Sequence, residues 1–531
     1  MSSAAVLAGV LFIGLLTIRD QGITTDEFVF DDFGSKMLDG YLNRFRETQQ
    51  YYDPGVVYYG PWFQVLVAAI QSLTDADRFD VRHAVTFVVG LAGLAAVVPI
   101  GRLAIGRWAG FAALALCLLT GNLYGHLFFS PYDAPFLATM TWATLAVLLM
   151  ARREVPSGGM TICAGVLTGL AIATRVGGLI TDVYLAAAMT LLAVELLVRD
   201  GERAWHSVLR LAAHCMIAVL IGWVVAFTLW PFVQTSDPLG QFLAAMSHFS
   251  KLPAEFRILT WGQPVMNTDL PWFYVPGELL ARLPEGFIVL LVVAFGFGCA
   301  AAARFVSECI GGAKHAGVAG LRAPLLALAR SRGLLIVAMA GTAPPVIAIV
   351  LGSTLFDGIR HLLFVVPMLA LLAAWALWRM APLIRSYPIA AGGIAAVQVV
   401  PAVVTLWMLH PLEYVATNAF AGGTRGSFSR FHLDYWAAAA TQAVRRLEQR
   451  LAADTSGRFA ARVPRVHVCI PWRETMVGPM FKENWIVESD PAKADFVIET
   501  ERSRCAPGGR VIDEVRRFDR TFARTVEQSS S

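Results

Sequence analysis

The chain has 531 residues, 56% of them hydrophobic and only 15% charged, with a formal net charge of +4. A soluble protein carries about a quarter charged residues, so a wholly soluble enzyme is excluded, and the small net charge gives no basis for nucleic-acid binding. The apolar residues fall in runs long enough to cross a bilayer core of about 30 Å, which takes about 20 helical residues.

In chain order the runs cover approximately residues 3–18, 83–101, 108–128, 134–151, 160–176, 178–198, 209–230, 286–304, 333–352, 361–380 and 387–409. Backbone polar groups in lipid must be satisfied within their own segment, so about eleven transmembrane helices are expected from these runs. The first run lacks a basic stretch ahead of it and a small-residue cleavage site before Arg19, and it reads as an uncleaved span. Only Arg175 to Gly178 separate the fifth and sixth runs, so one of these two is expected to be short or re-entrant.

Alternate loops are basic: Arg102 and Arg107; Arg152 and Arg153; Arg199, Arg203 and Arg210; Arg304, Lys314, Arg322, Arg330 and Arg332; Arg379 and Arg385. The excess of Lys and Arg in cytoplasmic loops assigns these to the cytoplasm. The N-terminus then lies inside. The acidic loop 19–82, the aromatic loop 231–285 and residues 411–531 lie outside the cytoplasmic membrane. Residues 1–410 thus read as a membrane module and 411–531 as an extracytoplasmic domain. Segments 26–46 and 60–73 are expected as short helices on the membrane surface. In the polar tail, Val463 to Ile470, Trp485 to Glu488 and Asp495 to Glu499 read as strands and 435–452 as a helix, a small α/β domain. Cys469 and Cys505 lie in this domain and are candidates for pairing in an oxidising compartment.

Four groups of residues bear on chemistry. Thr24-Thr25-Asp26-Glu27 follows the first span, with Asp31 and Asp32 a turn later. This pattern suits a helix cap and equally a carboxylate base at the membrane surface. His126 to Pro135 forms the turn before the fourth span, and Asp133 there is either a helix start or an acid held at the boundary. The cations Arg82, His83, Arg175, Lys251, Arg257, Arg360 and His361 lie on the outer side. Arg360 and His361, in a short loop close to the bilayer, suit phosphate binding, whereas Arg82 reads as a partner for neighbouring acids such as Asp80. Tyr51-Tyr52-Asp53-Pro54 and Tyr58-Tyr59-Gly60-Pro61-Trp62 form an aromatic stretch that suits an interfacial anchor or a substrate groove. The sequence contains no Walker A loop, no GxGxxG between a strand and a helix, and no HExxH.

As an ordered set these motifs resemble the bacterial branch of the GT-C superfamily, including the protein O-mannosyltransferases of glycosyltransferase family 39 and the aminoarabinose transferases that modify lipid A. The resemblance rests on Asp26-Glu27, His126 to Pro135, Ala173-Thr174-Arg175-Val176-Gly177-Gly178, Asp357-Gly358-Ile359-Arg360-His361, His410 to Asn418, Gly422-Gly423 and Asp434-Tyr435-Trp436, over roughly residues 1–440. It implies the GT-C fold and transfer of a sugar from a polyprenyl-phosphate donor to a protein, lipid or polysaccharide acceptor, with inversion. By position it makes Asp26 the base, with Glu27 beside it, and Asp133 the second acid. Tyr58, Tyr59, Arg175, Lys251, Arg360 and His361 are the expected substrate contacts. Where many relatives have Asn and Lys in the second motif, this chain has Ser130 and Tyr132, so no lysine contact is expected there. The resemblance implies no metal, although paired acids are a chemistry that can hold a divalent ion. The alternatives are a transporter or flippase, and a glycan polymerase or ligase using a pyrophosphate-linked donor.

Overall fold

The computed structural model describes residues 2–45, 55–250, 255–454, 463–470, 477–481 and 485–528. The membrane module begins with α1 (Ser3–Leu16), α2 (Thr25–Leu42), α3 (Trp62–Gln71), α4 (Arg78–Ala104), α5 (Ala109–Leu118), α6 (Gly121–Phe129), α7 (Asp133–Met150) and α8 (Gly158–Thr174). It continues with α9 (Ile180–Asp200), α10 (Trp205–Thr228) and α11 (Pro238–Ser250), then a hairpin of β1 (Arg257–Thr260) and β2 (Gln263–Met266). The helices α12 (Tyr274–Arg282), α13 (Glu285–Ala316), α14 (Arg322–Arg330), α15 (Arg332–Val350), α16 (Val366–Arg379), α17 (Ala381–Ser386) and α18 (Pro388–Leu409) complete it.

Among the described residues, seven helical segments are long and apolar enough to cross a membrane, or eight if α5 and α6, bent by 73°, form one span. All eleven apolar runs contain helix, but α1 and α8 have only 14 and 17 residues. Both are shorter than the roughly 20 residues of a typical crossing, and α8 is the short member expected of the fifth and sixth runs. Burial separates inner from outer helices. Asp133–Met150 is 89% buried inside the protein, whereas Pro388–Leu409 buries none of its apolar window. On α18 Ile389 is 90% and Trp407 85% exposed, an apolar surface that only lipid can cover. The protein is therefore a multi-pass membrane protein.

Helix ends sort into two faces. At one, Arg332 meets Glu195 (2.5 Å) and the Ala151 carbonyl (2.8 Å), Arg199 meets Glu154 (2.6 Å), and Arg322 meets the Val198 carbonyl (2.7 Å). At the other lie the end of α1, the starts of α2, α7 and α16, and the end of α8. Two close approaches shape this second face. A Cβ on Gly60 would sit 1.5 Å from the Ala173 carbonyl oxygen, and one on Gly125 2.3 Å from the Tyr414 nitrogen. Both positions therefore require glycine.

After α18 the chain passes through α19 (Gly423–Ser427) to α20 (Ala439–Ala453) and a five-stranded sheet: β3 (Arg465–Val468), β4 (Ile486–Val487), β5 (Phe496–Thr500), β6 (Arg510–Arg517) and β7 (Arg520–Glu527). The strand order is β4-β3-β5-β7-β6. The β3 strand is parallel to both of its neighbours, and the β6–β7 hairpin adds antiparallel pairs. Val466, Val468, Phe496, Ile498 and Phe522 pack beneath Ala443, Val444 and Leu447 of α20, all at most 2% exposed. The hairpin escapes the sequence reading because its turn residues Phe518 and Asp519 adopt positive φ (48° and 61°) without a glycine.

This sheet domain grips the helical bundle where the segments after α1 and after α18 meet. Arg445 donates to the carbonyls of Arg19, Asp20 and Gln21 (2.8–3.2 Å), and Arg517 to those of Leu409 and His410 (3.3 and 2.8 Å). His410 bridges Glu413 (2.6 Å) and Asp20 (3.1 Å). Cys469 and Cys505 form a disulfide.

Two outcomes follow for the whole protein. Denatured without reductant, it should show five maleimide-reactive cysteines, at positions 117, 163, 215, 299 and 309, and all seven after reduction. Stability should also fall as pH rises. Burial pushes Asp434 up to about 7 and Glu501 up to about 8. Against the opposing effect of burial, Glu413 and Asp20 raise His410. Each folded pKa lies above its unfolded value. The stabilisation is complete below the unfolded pKa and is lost as pH rises through the folded one. The denaturation midpoint should therefore decline between about pH 6.5, above which histidines of the unfolded chain are already neutral, and about pH 8.

Candidate active site

The site is built on a helix start. Glu27, third in α2, reaches back to accept the Thr24 N–H (2.9 Å) and the Thr24 hydroxyl (3.0 Å). Its other oxygen lies 3.0 Å from His83 Nε2. Such a cap is worth about 1 kcal/mol. The expected acid Glu27 is fully buried in this cap. Asp26 projects about 100° away around the helix. Its Oδ2 accepts from Arg360 Nη1 (2.6 Å) and from the Trp436 indole (3.0 Å). No protein donor among the described residues reaches Oδ1.

Asp133 opens α7 beside this pair. Ser130, three residues earlier, donates to its Oδ2 (2.8 Å), and Arg175 Nη2 lies 2.7 Å from its Oδ1. Asp133 is both the helix start and a buried acid, and the short α8 brings Arg175 to it. Tyr59 lies between the two carboxylate–arginine pairs. Its ring packs on Tyr132 (4.5 Å) and Phe249 (4.7 Å), and the Arg175 guanidinium is 5.7 Å from its centroid. Burial pushes the Tyr59 phenol up, with Arg175 and Arg360 opposing and Asp26 and Asp133 reinforcing. It therefore stays neutral and able to donate a hydrogen bond. Side-chain exposure distinguishes the acids: 29% for Asp26, 8% for Asp31, 3% for Asp133 and 0% for Glu27. Asp26 is the one among them open to a reactant.

The arginines are held by aromatic faces. The Arg360 guanidinium lies 4.8 Å from the Phe356 ring centroid and 5.0 Å from that of Trp436, contacts that are stronger when desolvated. Its Nε is buried without a partner. The remaining expected residues divide. His361 lines a small space of about 10 Å³ with Tyr274 and Glu278 and packs on Phe356 (5.0 Å). Tyr58 stacks on His248 (4.1 Å) and packs on Phe232 (5.1 Å), so it fastens the 231–250 cover rather than facing the two acids. Arg82 pairs with Asp31 (3.1 Å), not Asp80, and donates to Gln64 (2.8 Å), tying α2, α3 and α4 together. Lys251 and Tyr51 to Pro54 lie outside the described residues.

Trp436 was legible only as part of the Asp434-Tyr435-Trp436 motif, with no role attached. Nothing local to the sequence points to its bond with Asp26, 410 positions away. Behind it, Tyr435 OH bonds His126 Nε2 (2.7 Å), and Asp434 accepts from Tyr414 and from the Ala438 N–H (2.9 Å).

No protein-family model matches the chain, and no curated protein matches it. Among solved structures it is similar to ArnT from Cupriavidus metallidurans bound to undecaprenyl phosphate, at 15% identity over 98% of this chain and 96% of that one, with a TM-score of 0.42. The apo state of the same protein aligns over the same shares at a TM-score of 0.46. An apo oligosaccharyltransferase from Archaeoglobus fulgidus is 13% identical over 88% of this chain and 63% of that one, at a TM-score of 0.44.

Proposed function

We propose that this protein is a glycosyltransferase that moves a sugar from a polyprenyl-phosphate donor to an acceptor at the outer face of the cytoplasmic membrane, with inversion and with Asp26 as general base. The observation that carries this reading is the Asp26–Arg360–Trp436 cluster. It combines an accessible carboxylate, one oxygen of which has no protein donor, with an aromatic-clamped arginine that has an unsatisfied Nε. A second carboxylate–arginine pair lies alongside.

The chemistry follows from that arrangement. Asp26 takes the proton of the acceptor hydroxyl or amine as its oxygen or nitrogen attacks the anomeric carbon. The bond from that carbon to the carrier phosphate breaks, and its electron pair leaves with the phosphate. Positive charge develops on the sugar, as in glycoside hydrolysis. The negative charge gained by the phosphate is stabilised by Arg360, with Arg175 nearby. In the free protein Arg360 is the counter-ion of Asp26. An arriving phosphate competes for the same guanidinium, and Asp26 becomes a stronger base as that partner turns away. A single displacement of this kind inverts the anomeric centre.

The outer-face assignment is supported by the Cys469–Cys505 disulfide, which belongs to an oxidising compartment. The arginine-rich helix ends gather at the opposite face of the bundle, as cytoplasmic loops do.

The test is transfer of radiolabelled sugars from a panel of polyprenyl monophosphates in membranes. Asp26→Asn should lower turnover by at least about 100-fold while the protein inserts and melts as the native form does. Full activity in that variant would overturn the assignment of the base. Arg360→Gln should lower turnover by about 100-fold or more, with Arg360→Lys intermediate because a lysine keeps the charge but loses the planar fork. Transfer only from a pyrophosphate-linked donor, or substrate flux without any acceptor, would select the polymerase or transporter instead.

A further inference from the structure

Strand β5 ends at Thr500, and the two residues after it reach out of the sheet domain toward the helical bundle. The Glu501 carboxylate accepts the backbone N–H groups of Leu433 (3.2 Å) and Asp434 (2.7 Å). Arg502 Nη1 donates to Asp357 Oδ2 (3.1 Å), and its guanidinium lies 5.4 Å from the Phe256 ring centroid. Asp434 is two residues ahead of Trp436, and Asp357 three ahead of Arg360. Adjacent residues of the C-terminal domain thus hold the two chain segments that supply both protein partners of Asp26.

The turn that carries them is itself fixed. The Thr500 N–H bonds the Ser503 carbonyl (3.0 Å), the Ser503 N–H bonds the Thr500 hydroxyl (3.2 Å), and the Ala506 N–H bonds Glu499 (3.0 Å). The disulfide from Cys505 to Cys469 ties its far side to the segment just after β3. The segment that Arg502 grips is the loop ahead of Arg360. Residues 351–359 include Gly352 and Gly358 at positive φ (56° and 71°). Asp357 is buried, and its carboxylate meets His432 (3.2 Å) as well as Arg502. Removing the arginine leaves the buried Asp357 with His432 as its remaining charged partner.

We infer that Glu501 and Arg502 are positioning residues for the Asp26 site, through which the C-terminal domain sets the placement of Trp436 and Arg360. The inference rests on the glycosyl-transfer reading for the meaning of that site. A displacement of about 1 Å at a reacting group is enough to lower a rate by about 100-fold.

The test uses full-length protein in lipid nanodiscs, comparing Glu501→Gln, Arg502→Gln and Arg502→Lys with the native form. Hydrogen exchange is followed over residues 355–362 and 431–437, and undecaprenyl phosphate alone is the binding probe. Arg502→Gln should lose protection in the first segment and Glu501→Gln in the second, with the transmembrane helices unchanged. Both should bind the probe about tenfold more weakly, and Arg502→Lys should restore most of that affinity. Native protection in both segments together with native affinity would overturn the inference. So would a loss of protection spread through the whole protein, which marks a general stabilising role. A native protein that does not bind undecaprenyl phosphate contradicts the glycosyl-transfer reading instead, and the exchange pattern then decides the positioning role by itself.

Discussion

A carboxylate and a guanidinium 334 positions apart in the chain, Asp26 and Arg360, meet at 2.6 Å where the helical bundle joins the sheet domain. Asp26 keeps 29% of its side chain exposed, so the pair places the two groups more than it stabilises the fold, and other carboxylate–arginine pairs surround it. Asp133 needs Arg175, Asp31 needs Arg82, Glu278 needs Arg282 (2.9 Å), and Asp357 needs Arg502. Glu278–Arg282 lies within α12, and each of the others joins separate elements. The core of α4, α7 and α16 fixes where helices run, and the ion pairs fix how their ends face one another.

That arrangement also sets what the site can do. An acid spent on a cap, as Glu27 is, has one oxygen engaged in the cap, the other beside His83, and no exposure. One helical position away, Asp26 keeps an oxygen without a protein donor beside a cation that can be shared with an anionic ligand. Tyr59, kept neutral between the two pairs, adds a hydrogen-bond donor without adding charge.

Much of this was legible in the sequence, for a physical reason. Ionisable residues at the edges of apolar runs are costly, so Asp26, Asp133, Arg175 and Arg360 stand out one by one. Their pairing does not, because neither periodicity nor local propensity reports a contact between residues 42 or 334 positions apart. The surface helices after α1 were legible from amphipathic spacing, and three strands of the tail from their apolar alternation. The β6–β7 hairpin was not, since Arg, Asp and Glu crowd its strands and Phe518-Asp519 replaces a glycine turn. Two expected site residues have structural partners that the sequence did not reveal: Glu27 caps a helix start, and Tyr58 packs on the 231–250 cover. Apolar composition fixes where helices form and not how far each extends, as the short α1 and α8 illustrate.

The most direct measurement is a structure of the protein in a lipid nanodisc with undecaprenyl phosphate bound. This account places the phosphate within hydrogen-bond distance of the Arg360 guanidinium, with Asp26 adjacent and its contact to Arg360 lengthened. A phosphate seated elsewhere, for instance beside Arg282, with Asp26 and Arg360 still 2.6 Å apart, would contradict it.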